Sequence, residues 1–248
     1  MREGIESPSI GFSRRLTDGE SNPFTLVQWE KRDVTITNWQ DDSIVFEQRD
    51  VEFPTDWSIN ASNIVTQKYF WGALGTEQRE KSLKDLLNRV VNQIINWGDE
   101  GGYFASNDEK GVFADELMSL LLLQKASFNS PVWFNIGVPD IPQQSSACFI
   151  LSVDDTIDSI LNWYVEEGKI FKGGSGSGAN LSRIRASSEE VSGGGSPSGP
   201  VSFMRGADAS AGTIKSGGTT RRAAKMVMLD VDHPDIEEFI WTKAAEEK

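Results

Sequence analysis

Hydrophobic positions along the chain change period from one stretch to the next, and each period predicts a different element. Residues 1–22 carry no apolar rhythm and read as a polar, poorly ordered lead-in. From Phe24 to Phe53 the pattern is strand-like. Thr35-Ile36-Thr37-Asn38-Trp39 and Ser43-Ile44-Val45-Phe46 flank Gln40-Asp41-Asp42, which predicts a β-hairpin, and Pro54 ends the section. Over residues 57–126 the period becomes helical: Leu83, Leu86, Leu87, Val90, Val91, Ile94, Ile95 and Trp97 recur on one helix face. Gly98, Gly101 and Gly102 then break the chain, and a second helix is expected from Val112 to Lys125. These apolar stripes are read as core.

After Phe128, strands and helices alternate. The expected order is strand Cys148–Val153, helix Thr156–Phe171, a glycine loop over Gly173–Gly178 and strand Ala179–Ile184. A Ser/Gly-rich loop follows over Ala186–Gly199, then helix Pro200–Ala211, the loop Gly212–Arg222 and strand Lys225–Val231. A last helix starts at Pro234, with Asp232 or His233 as its cap. Such alternation is the grammar of an α/β fold with a parallel sheet or barrel. Three parts are expected: an extension with a hairpin (1–56), a helical domain (57–127) and the α/β part (128–248). The sequence stops at Glu246-Glu247-Lys248 inside the last helix without a stop signal, so a longer parent protein is expected.

Composition narrows the function classes. With 248 residues the chain has ample length for a core, and a net charge of -13 argues against a surface that coats nucleic acid. A single cysteine, Cys148, and a single histidine, His233, exclude an internal disulfide and a Cys/His zinc site. This usage fits a reducing, cytoplasmic setting. The first twenty residues lack the apolar core of a signal peptide, and the longest greasy run, Leu117 to Leu123, is far short of a membrane span.

Four segments carry candidate chemistry, each beside a plainer reading. Cys148 sits in an apolar strand, where a thiol is commonly inert packing, but Ser145, Ser146 and Ala147 before it are small enough to border a cavity. Gly174-Ser175-Gly176-Ser177-Gly178-Ala179 satisfies a dinucleotide-binding pattern in the wrong context, since that fingerprint needs a strand before it and a helix after it. It reads either as a linker or as backbone N–H groups open to a phosphate. Asp154, Asp155 and Thr156 read as a helix cap or as a grip on a ribose hydroxyl. Lys215-Ser216-Gly217-Gly218-Thr219-Thr220-Arg221-Arg222 is a solvated charged loop or a nucleotide phosphate contact.

Taken together, five blocks in order resemble the adenosylcobalamin-dependent (class II) ribonucleotide reductases. They are Ser127–Asn135, Ser146–Ile150, Phe171–Arg185, Gly199–Met204 and Val231–Ile236. The resemblance implies a ten-stranded α/β barrel entered through a helical N-terminal domain, with this chain holding that domain and the first strands. It implies conversion of ribonucleotides to 2′-deoxyribonucleotides with adenosylcobalamin as radical source. By position, Cys148 matches the barrel cysteine that reduces the substrate and becomes half of a disulfide. Ser130, Ala147 and Gly176, with Cys148, match positions lining the substrate. Asp155, Thr156 and Ile157 match the start of the effector-binding helix, Arg185 opens the first effector loop, and Lys215 and Arg221 belong to the second. The implied partners are a ribonucleotide substrate, a deoxynucleotide effector, a thioredoxin-like reductant and a second copy of the protein, with neither nucleic acid nor membrane.

The family also needs a thiyl-radical cysteine with a nearby asparagine and glutamate, a second redox cysteine and a C-terminal reductant pair. With Cys148 the only cysteine, those thiols are expected beyond residue 248, and the chain alone is expected to be inactive. Two other readings stay open: the large subunit of an iron-dependent reductase sharing the barrel, and a nucleotide-binding regulatory module in which Cys148 is dispensable.

Overall fold

The computed structural model describes residues 10–191, 193–214 and 224–246. It is a mixed α/β chain that divides into two compact units, residues 1–145 and 146–248. Residues 128–145, read from the sequence with the α/β part, cluster with the first unit.

In the first unit, β1 (Trp29–Thr37) and β2 (Ile44–Pro54) form the expected antiparallel hairpin. Its turn holds Asp42 at φ 55°, a left-handed conformation that Asp tolerates better than most residues. Three longer helices follow, α1 (Ile59–Lys68), α2 (Leu83–Glu100) and α3 (Asn107–Leu122). Ser82 starts α2 through a capping box with Asp85. The hairpin is no separate extension. Val34, Val51 and Phe53 join Leu83, Leu86, Leu87 and Leu122 in one buried cluster, because one face of each strand is apolar.

Two expectations here are corrected. Gly98 does not break α2. It lies inside the helix because a side chain there would stand 2.6 Å from the Phe104 ring. Residues 10–22 are not loose: Glu116 of α3 accepts hydrogen bonds from the Leu16 and Thr17 amides (2.9 Å each) and from the Thr17 hydroxyl (2.7 Å), and Arg14 pairs with Asp115 at 2.7 Å. These polar ties have no hydrophobic period, so the pattern does not report them. A short helix, α4 (Ser130–Asn135), also went unpredicted. The buried Arg89–Glu80 pair fixes its far end, with Arg89 donating to the Ile136 and Trp133 carbonyls at 2.7 and 3.1 Å.

The second unit is an open three-stranded parallel sheet in the order β3 (Cys148–Ser152), β4 (Gly176–Asn180), β5 (Ala224–Met228). Helices α5 (Ile157–Lys172) and α6 (Gly199–Thr213) connect the strands, and α7 (Ile236–Glu246) closes the described chain. Leu151, Ala179 and Val227 turn to one sheet face and pack with Ile160, Trp163 and Ala207. The alternate residues Cys148, Ile150 and Met226 turn to the other face and are exposed.

The predicted glycine loop is the main correction. Gly176–Gly178 are not loop; they are the central strand, and their N–H groups serve the ladder instead of a phosphate. Glycine suits the position because a side chain on Gly176 would stand 3.0 Å from the Ala224 carbonyl oxygen. The strand expected at Ala179–Ile184 therefore ends at Asn180, and Leu181–Ile184 is a turn. Pro234 likewise precedes α7 in a turn and does not begin it.

Candidate functional site

At the start of the sheet, Cys148, Gly176 and Ala224 lie in register on adjacent strands. The Ala147 carbonyl accepts the Gly176 N–H at 2.7 Å, the Ser175 hydroxyl donates to the Ser146 carbonyl, and the Ser146 hydroxyl donates to the Cys148 carbonyl at 2.9 Å. The thiol is thus mounted on an edge strand held to β4, with Cys148 exposed and no side chain on Gly176 opposite it. An accessible thiol on a rigid strand can exchange with a disulfide or donate electrons to a bound substrate. The structure brings together Ala147, Cys148 and Gly176 of the expected substrate positions. Ser130 belongs to the other unit, where its hydroxyl shares a 3.1 Å hydrogen bond with Tyr69, whose ring stacks on Phe134.

The opposite end of the sheet gathers the expected effector residues. Thr156 is the cap of α5, its hydroxyl accepting the Ser159 N–H at 3.2 Å. That leaves the Asp155 carboxylate free of capping duty. It takes the Arg185 guanidinium at 2.6 Å and the Arg185 N–H at 3.3 Å. Asp154 pairs with Arg183 at 3.1 Å, but both side chains are about two-thirds exposed or more (67% and 73%). Asp155, Thr156, Ile157, Ile160, Arg185 and Phe203, with Pro197, Ser198 and Gly199, line one cavity of about 210 Å³. Its lining combines apolar side chains with a carboxylate and a guanidinium, which suits a flat polar ring with charged substituents. Lys215 and Arg221 lie outside the described residues.

Sequence reasoning missed a buried charge between these ends. Glu167 of α5 is 2% exposed. It accepts the Ser177 hydroxyl at 2.7 Å and pairs with Lys225 at 2.6 Å, and Lys225 lies 5.2 Å from the Trp163 ring centre. Ile160, Trp163, Glu167 and Phe171 form the buried stripe of α5, so a carboxylate at an apolar position of the helical period was the available signal. Next to it, burial and then the Glu167 charge push the Tyr164 hydroxyl above its usual range, and that hydroxyl donates to the Phe203 carbonyl at 2.6 Å.

His233 is buried too. Its Nε2 lies 2.9 Å from the Ile184 carbonyl and its Nδ1 accepts the Asp235 N–H at 3.1 Å. Among the described residues, no cluster of His, Cys, Asp and Glu is arranged to hold a metal ion, and no helix is long and apolar enough to cross a membrane.

Comparison with known proteins adds to this geometry. Residues 30–124 match the family described as class II vitamin B12-dependent ribonucleotide reductase, and residues 146–248 match the ribonucleotide reductase barrel domain. The chain is 66% identical over 227 residues to a vitamin B12-dependent ribonucleotide reductase of Streptomyces coelicolor, covering 92% of this chain and 23% of that protein. It is 61% identical over 246 residues to that of Streptomyces avermitilis, covering 99% and 25%. A more distant relative from Thermoplasma acidophilum, named vitamin B12-dependent ribonucleoside-diphosphate reductase, is 44% identical over 177 residues, covering 71% and 22%. The chain therefore spans about a quarter of the length of the curated relatives it matches.

Proposed function

Since the chain belongs to the vitamin B12-dependent (class II) ribonucleotide reductase family, we propose that it supplies one redox thiol and an effector site for reducing ribonucleotides to 2′-deoxyribonucleotides. Its parallel strands are the first of a ten-stranded α/β barrel in this reading. The observation that carries it is the exposed Cys148 sulfur beside the side-chain-free Gly176.

The balance of the reaction is simple. The ribose C2′–OH bond breaks, a C2′–H bond forms, and the hydroxyl leaves as water. The two electrons come from two thiols, which become a disulfide. Cys148 is one of them. The other is outside this chain, and a thioredoxin-like dithiol restores both. Ala147 and Gly176 let the ribose approach the sulfur.

Adenosylcobalamin supplies the radical in this family. The one histidine of this chain is buried with both ring nitrogens engaged, so it offers no ligand to a cobalt ion. What this chain provides is the electron-donating thiol and the regulatory end of the sheet.

Asp155, Thr156, Ile157 and Arg185 form the deoxynucleotide effector site; Lys215 and Arg221, which the resemblance assigns to it, lie outside the described residues. The substrate is a ribonucleoside diphosphate, as the name of the Thermoplasma relative suggests. The enzyme acts in the cytoplasm as a homodimer. The test is an assay of the full-length protein, with thioredoxin and no second subunit. Cytidine diphosphate is reduced only when adenosylcobalamin is added, and cytidine triphosphate is not. Reduction supported by an iron-containing partner instead would assign the chain to the other branch.

A further inference from the structure

The Val231–Ile236 block stands in the sequence as part of a resemblance without a role, and the structure gives it one. We propose that His233 and Asp235 are positioning residues that hold the segments flanking Arg185 in the cavity lining. The inference rests on the reading of that cavity as a deoxynucleotide site.

Arg185 lies between two fixed points. On one side, the Ile184 carbonyl lies 2.9 Å from His233 Nε2. On the other, the Ser187 N–H and hydroxyl both donate to the Asp235 carboxylate, at 2.8 and 2.9 Å. His233 and Asp235 are 7% exposed each, so these bonds form away from water and carry more weight than surface contacts. The tautomer follows from the partners: Nδ1 accepts the Asp235 N–H at 3.1 Å, so Nε2 carries the proton and donates.

The same carboxylate reaches a second lining segment, at Gly199. Gly199, at φ +72°, starts α6, and a side chain there would stand 2.7 Å from the nearer Asp235 oxygen and 3.0 Å from the Ser187 side chain. Asp235 thus packs against residues 187 and 199 together, and residues 184, 185 and 199 all line the cavity. With this clasp in place the Arg185 backbone is fixed before a ligand arrives, and affinity rises because less ordering is left to do.

The experiment is calorimetric titration of the full-length protein with a deoxynucleoside triphosphate. His233→Ala removes both ring hydrogen bonds and raises the effector dissociation constant about tenfold. His233→Gln keeps a donor near the Ile184 carbonyl and restores affinity to within about threefold. Ser187→Ala, a small change at a half-buried site that leaves folding intact, weakens binding by about threefold to tenfold. Substrate KM without effector stays unchanged in all three variants. Arg185→Ala separates the two levels of the argument. If it binds effector normally, the cavity is not the effector site. If it loses effector while His233→Ala and Ser187→Ala both bind as wild type, the clasp has no positioning role. Equal losses in His233→Ala and His233→Gln would also overturn it.

Discussion

Where the three parallel strands begin, the chain presents a thiol, an absent side chain and a methyl group: Cys148, Gly176 and Ala224 in register. Where they end, it presents carboxylates and guanidiniums: Asp155 on Arg185 at 2.6 Å, Asp154 on Arg183 at 3.1 Å, and Asn180 donating to Asp230 at 3.1 Å. A parallel sheet places all strand starts on one side and all strand ends on the other. Five-residue strands separate the two ends by about 13 Å at the usual rise per residue. Electron transfer to a substrate and recognition of a regulatory nucleotide can therefore share one small sheet without sharing an atom. Any signal between them runs through the strands or along α5, whose buried Glu167 grips both neighbouring strands through Ser177 and Lys225.

The largest expected effect falls on the thiol end. Cys148→Ser in the full-length enzyme abolishes multiple turnover with thioredoxin and leaves the effector dissociation constant unchanged. Normal steady-state turnover would remove Cys148 from the redox role. Next comes the charge between the ends. Glu167→Gln strands Lys225 without its partner and costs about 3 kcal/mol in urea unfolding. The double change Glu167→Leu with Lys225→Met recovers most of that loss, because a buried ion pair and an apolar pair of similar volume are nearly equal in stability. A double variant as unstable as the single one would show that the pair does more than neutralise itself.

The effector end follows. Asp155→Ala releases Arg185 and weakens deoxynucleotide binding about tenfold, while Cys148 alkylates at the wild-type rate. An unchanged dissociation constant contradicts the assignment. The smallest effect distinguishes two adjacent acids: Asp154→Ala shifts effector affinity by less than about twofold, since its ion pair is open to solvent. Equal losses at Asp154 and Asp155 would blur the contrast and point to bulk charge instead of a built site.

The sequence made some of this legible. Helices α2 and α5 and the hairpin follow from period, because burial of one face leaves a repeat. The convergence of Asp155, Thr156, Ile157 and Arg185 was foreshadowed only by resemblance, yet the structure brings those residues to one cavity. The glycine run misled because composition reads glycine as loop, whereas here it marks a central strand pressed against Ala224. Glu167, His233 and Asp235 act through tertiary partners some distance away in the chain, such as Lys225, Ile184 and Ser187, and pairings of that kind leave no local period. The docking of residues 10–22 onto Glu116 was hidden for the same reason.

The central claim is that the Cys148 sulfur gives electrons to the substrate. It is tested by single turnover of the reduced full-length enzyme, its C-terminal reductant cysteines changed to alanine, with adenosylcobalamin and ribonucleotide but no external reductant, followed by alkylation and peptide mass spectrometry. The Cys148 peptide is expected to lose its alkylable thiol in step with product and to be joined by a disulfide to a second cysteine. Product formed while Cys148 remains fully alkylable would contradict it.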